Sequence, residues 1–108
     1  MTESEERYSA IVTALVGLHG VTLGADRGFA KNGLKVGGKL FACVPQRGGL
    51  LLKLPKARVD WLNDAGDGER FDPGHGRPLK EWVVVRTTSM ADWLDLAREA
   101  MTFVGGAE

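Results

Sequence analysis

The chain contains one cysteine, Cys43, so no disulfide can form within it and its stability must come from apolar burial. A lone thiol suits a reducing compartment. Long hydrophobic runs are missing too: nothing approaches the roughly 18 apolar residues that suggest a membrane span. The N-terminal MTESEERYS is acidic and polar, whereas a secretory signal is basic and then apolar. These absences predict a soluble cytoplasmic protein with no membrane contact. Histidine is scarce, with only His19 and His75, and neither stands in a recognisable nucleophile pattern. No Cys/His/Asp/Glu spacing reads as a metal site; Asp64, Asp67, Glu69 and Asp72 fail a calcium-loop alignment because Ala65 and Gly74 fall on ligand positions. The expectation is a non-enzymatic protein with no metal and no cofactor.

Acidic residues are absent over one long stretch. Between Asp26 and Asp60 there is none, while Arg27, Lys31, Lys35, Lys39, Arg47, Lys53, Lys56 and Arg58 are all basic. Net charge is nonetheless zero, because the acids collect at the two ends and from Asp60 to Asp72. Lysines on strands discourage edge-to-edge aggregation, which is one reading of this stretch. The other is a basic face that holds phosphates, with Arg27, Lys31, Lys35, Lys39, Arg47 and Lys53 as its nucleic-acid-binding residues.

What is present is enough for one folded domain, residues 1–108: 108 residues, of which 44% are hydrophobic and 26% charged. Tyr8, Ile11, Val12, Leu15 and Val16 recur at helical spacing, with Thr2 or Ser4 placed to cap, and the helix ends near Leu18 to Gly20, where His19 complements the carbonyl dipole. Val21 and Leu23 suggest a short strand before a glycine-rich loop from Gly24 to Gly33. Leu34 and Val36 alternate, Gly37 and Gly38 suit a two-residue hairpin turn, and Lys39 to Val44 continues as a strand. After the turn at Arg47, Gly48 and Gly49, Leu50, Leu52 and Leu54 share one strand face and Leu51 and Lys53 the other. Something must cover Leu51. A short helix over Ala57 to Ala65 follows Pro55 and stops at Gly66. The acidic stretch after it reads as a solvated turn.

Lys80 to Arg86 reads as a strand with Trp82 and Val84 on one face and Val83 and Val85 on the other, hence an interior strand or a covered edge. Ser89 with Asp92 resembles a capping box, and Trp93, Leu94, Ala97, Ala100, Met101 and Val104 form the apolar stripe of a last helix ended by Gly105. Trp61, Trp82 and Trp93 all fall on such stripes and are expected in the core, as is Cys43. The order predicts an α+β fold: a mostly antiparallel sheet with helices at the N-terminus, middle and C-terminus packed on one side.

The most distinctive segment is FDPGHGRPLKEWVVV, from Phe71 to Val85. Asp72 caps a turn through its side chain, Pro73 and Gly74 favour a tight reversal, Gly76 gives freedom and Pro78 restricts Arg77 to extended geometry. Arg77 then either pairs with Asp72 or Glu81 to hold the loop, or joins Lys80 and His75 in an anion site.

This loop, together with LKVGGKLFA (Leu34 to Ala42), LLLKLPKARVDWL (Leu50 to Leu62) and the Trp-containing last helix, resembles the TfoX N-terminal domain family, grouped with the YjbR/MmcQ-type bacterial proteins. The resemblance spans nearly the whole chain, with GRPLKEW its most specific part. It implies a two-layer α/β sandwich of the secretion-chaperone-like kind and a role as an interaction or regulatory domain, with DNA binding often ascribed to such proteins. The competence regulators of that family carry a second, helical domain, for which nothing here corresponds up to Glu108. Three functions follow as expectations: protein contact or homodimerisation through a sheet edge, nucleic-acid binding by the basic meander 27–58, and small-molecule or anion binding at the 72–80 loop.

Overall fold

The computed structural model describes residues 3–24, 32–74, 76–89 and 91–106. Three α-helices, α1 (Glu3–Leu15), α2 (Lys56–Asp64) and α3 (Trp93–Gly105), accompany six strands: β1 (Val21–Leu23), β2 (Leu34–Val36), β3 (Lys39–Cys43), β4 (Leu50–Lys53), β5 (Gly68–Arg70) and β6 (Trp82–Val85). The strands form one antiparallel sheet in the order β1-β2-β3-β4-β6-β5. This is the α+β sandwich expected from the sequence.

Local chemistry explains most boundaries. Gly37 and Gly38 have φ of 59° and 79°, the paired positive values of a two-residue hairpin turn that matches strand twist. In α3 the Asp92 carboxylate accepts the backbone N–H groups of Leu94 and Asp95, satisfying two donors that the helix leaves unpaired. Asp92 is therefore the cap itself. Ser89 does not form the expected capping box: its hydroxyl donates to Asp67 and accepts from the Ala91 N–H. Ser4 is no cap either, for it lies inside α1 and its Oγ accepts the Gly49 N–H at 2.8 Å, tying the helix to the β3–β4 turn. Thr2 and residues 25–31, including Gly28 and Phe29 of the glycine-rich loop, lie outside the described residues.

The helices cover one face of the sheet. Leu50, Leu52, Leu54, Val83 and Val85 join Ile11, Leu15, Val59, Leu62, Leu96 and Ala97 in a single core. Burying each such side chain contributes about 1.5–3 kcal/mol. Residue 41 interrupts the register between β2 and β3, where Lys35 opposes Leu40 but Leu34 opposes Ala42. The resulting bulge lets Phe41 and Ala42 both enter the core.

Two expectations need correction. The stretch read as a solvated acidic turn contains β5, because Glu69 and Arg70 sit on an edge strand beside β6, where one face meets water and charge is tolerated. His19 does not complement a helix end: α1 stops at Leu15, and His19 has φ 49° in a 3₁₀ turn beyond it.

Candidate functional site

Over the second face of the sheet, only the first residues of α1, Glu3, Ser4 and Glu5, come from a helix among the described lining residues. Strand alternation places Lys35, Leu40, Cys43, Leu51, Lys53, Trp82, Val84 and Glu69 there, opposite the core positions. An open concavity of about 1890 Å³ lies over this face, with Leu40, Leu51, Trp82 and Val84 among its lining residues, Phe71 and Leu79 supplied by the 71–81 connection, and Pro45 and Gly49 by the β3–β4 turn. Its floor is apolar. Leu51 is only 1% exposed.

The strand register also separates the basic residues. Lys35 opposes Leu40 and Lys53 opposes Trp82, while Lys39 opens β3, so these three lysines share one end of the sheet. Arg47 projects from the β3–β4 turn at the other end. The nucleic-acid set expected from the sequence is thus split, with Arg27 and Lys31 outside the described residues. Lys53 lies 3.8 Å from Glu81, with its ammonium 5.7 Å from the Trp82 ring centroid. Lys56 and Arg58 are committed to the helix side of the molecule. Lys56 pairs with Asp60, Arg58 with Glu99, and the Arg58 guanidinium stacks 4.8 Å from the Trp61 ring.

The 71–81 connection is a built turn. The Asp72 carboxylate accepts the Gly74 N–H at 2.8 Å, Leu79 N–H donates to the Phe71 carbonyl at 2.8 Å, and Phe71 N–H donates to the Trp82 carbonyl at 2.9 Å. Gly74 and Gly76 take φ of 109° and 74°, values that a side chain would strain. Pro73, Arg77, Pro78 and Lys80 are exposed, and His75 lies outside the described residues. Glu81 meets Lys53. The loop therefore closes on backbone bonds and delivers Lys80 and Trp82 to the same end of the sheet as Lys53.

Burial or pairing shifts three titratable groups, Cys43, Tyr8 and Asp60. Burial pushes the Cys43 thiol up to about 11, which makes it a small apolar side chain, as expected. Burial also raises Tyr8, followed by the neighbouring Cys43, so its hydroxyl stays a donor, bonded to the Asn32 carbonyl at 2.6 Å. Asp60 is pulled down by hydrogen bonds from Lys56 and then Arg70. Among the described residues no group of three His, Cys, Asp or Glu side chains could hold a metal ion.

The tryptophans diverge. Trp93 is buried, with the Arg7 guanidinium 3.8 Å over its ring; Trp82 lies half-buried on the open face; and Trp61 is 56% exposed, against the expectation of a core position. Phe103 and Val104 were not among the sequence candidates for a site, yet they line a cleft with Lys39, Leu40, Lys53 and Trp82. Val104 belongs to the apolar stripe read for the last helix and Phe103 does not, and the sheet end to which the helix brings them was not legible. Among the described residues no helix is long and apolar enough to cross a membrane. Comparison with protein families, with curated proteins and with solved structures returns no match to this chain.

Proposed function

We propose that the chain is a non-enzymatic interaction domain, regulatory in the manner that its resemblance to the TfoX N-terminal family implies, and that it works by protein contact through the uncovered face of its sheet. The supporting observation is the apolar floor of that face: Leu40, Leu51, Trp82 and Val84 lie opposite the helix layer and line an open concavity. Apolar area of this kind is where partner chains gain most from excluding water. The partner is another protein or a second copy of this chain, docking over β3, β4 and β6.

Val84→Glu tests the reading, because it places a charge on the floor without touching the core face. Sedimentation and affinity capture should show loss of self-association or of the captured partner, while Trp61→Ser on the opposite layer leaves both intact. Equal capture by Val84→Glu and the unchanged chain, at unchanged folding, refutes the assignment to this face.

A further inference from the structure

At the lysine-bearing end of the sheet a smaller cleft of about 380 Å³ lies beside the open face, lined by Lys39, Leu40, Lys53, Trp82, Phe103 and Val104. This volume falls within the roughly 300–1,000 Å³ typical of small-ligand sites. Two cations, two aromatic rings and two aliphatic side chains line it, and no carboxylate does. Lys35 shares the face of Leu40, but its side chain runs towards Gly24, with its Cε 3.3 Å from where a Cβ on Gly24 would sit, and it does not line the cleft. Neither Lys35 nor Lys39 makes an ion pair with a described residue. Lys53 is held only loosely, 3.8 Å from Glu81 and 5.7 Å from the Trp82 centroid. The unpaired Lys39 and the loosely held Lys53 beside an indole ring are matched by a flat ring that carries negative charge.

We propose that this cleft binds a nucleotide: a planar base stacked on Trp82 and bordered by Phe103, with its phosphate held by Lys39 and Lys53. Base-on-aromatic stacking tolerates any base, and ammonium groups hold phosphate as point charges without fixed geometry. Lys53 leaves the ring for the phosphate as the base takes its place. The source of the nucleotide is either a free mononucleotide or one unit of a single strand, which present the same chemistry to these residues. The site shares Leu40 and Trp82 with the protein-contact face, but the two readings separate, since this one needs the lysines and the other needs Val84.

Calorimetric titration of the full chain with AMP, with inorganic phosphate and with a short oligothymidylate tests the assignment. AMP should bind saturably and at least about tenfold more tightly than phosphate, because the ring supplies contacts that phosphate lacks. Lys39→Gln and Lys53→Gln should each weaken AMP several-fold, Lys39→Arg should restore most of the loss, and Arg47→Gln at the far end should change nothing. Trp82→Leu should bring AMP close to phosphate; should that variant not fold, the lysine variants carry the test alone. Tighter binding of AMP than of oligothymidylate assigns a free nucleotide, and the reverse assigns a strand. Absence of saturable binding by AMP and by oligothymidylate, equal affinity for AMP and phosphate, or indifference to Lys39→Gln and Lys53→Gln each overturns the proposal. Val84→Glu should leave AMP binding intact, so loss of partner contact and loss of nucleotide binding are separable results.

Discussion

Cys43 is the last residue of β3 and has no exposed surface, and burial raises its thiol from 9.0 to about 11. Ionisation alone then leaves the folded chain with on the order of a hundredfold less thiolate than the unfolded chain at pH 8, and enclosure slows attack further. Iodoacetamide should label Cys43 at pH 8 only after urea unfolding. Because the fold favours the protonated thiol, its contribution is complete below about pH 9 and is lost as pH rises from there towards 11. Cys43→Ala should flatten that alkaline loss in urea midpoints measured from pH 8 to 10, and prompt labelling of the folded chain would contradict the enclosure. The Cys43 environment was legible from its apolar neighbours Ala42 and Val44. The environment of Trp61 was not, for its helical spacing fits a stripe whose edge here faces water, where the Arg58 guanidinium covers one side of the ring.

Elements meet through a few contacts that no local pattern announces. Ser4 anchors α1 by accepting the Gly49 N–H in a buried setting, although its place near a helix start suggests a cap. Ser4→Ala should lower unfolding free energy by about 1–3 kcal/mol, since it leaves that donor unpaired away from water. Gly49→Ala should cost more: its φ is 84°, and a Cβ there would sit 2.7 Å from Val84 Cγ1 and 2.8 Å from the Val85 carbonyl. At Gly66, with φ 80° but nothing within 4 Å, alanine should cost only the left-handed strain of about 1–2 kcal/mol. Urea denaturation of the three variants checks the ranking, and a Gly66→Ala cost equal to that of Gly49→Ala would refute the steric argument. The last helix shows a different limit of pattern reading. The Ser89–Asp92 spacing fits a capping box, but the helix begins at Trp93 and Asp92 alone caps it.

On the scale of the molecule, β6 lies between β4 and β5, so Val83, Val84 and Val85 are paired on both sides. Amides of β3, β4 and β6 should exchange with solvent most slowly in native-state NMR, with those of the edge strands β1 and β5 opening at lower free energy. Protection of β5 equal to that of β4 would contradict this order. Apolar residues on both faces of the 82–85 segment announced an interior strand, and Leu50, Leu52 and Leu54 announced which face meets the helices. Such features are legible because side-chain alternation and helical spacing are properties of neighbouring residues. The pairing of Lys53 with Trp82 and the arrival of Phe103 beside Lys53 depend on segments tens of residues apart. Glu69 and Arg70 conceal β5 for the same reason: an edge strand carries charge, and only the partner beside it makes it a strand. The sequence alone thus settled the helices, every strand but β5 and the core face, which follow from local periodicity, while long-range register decided which charges and rings share a surface.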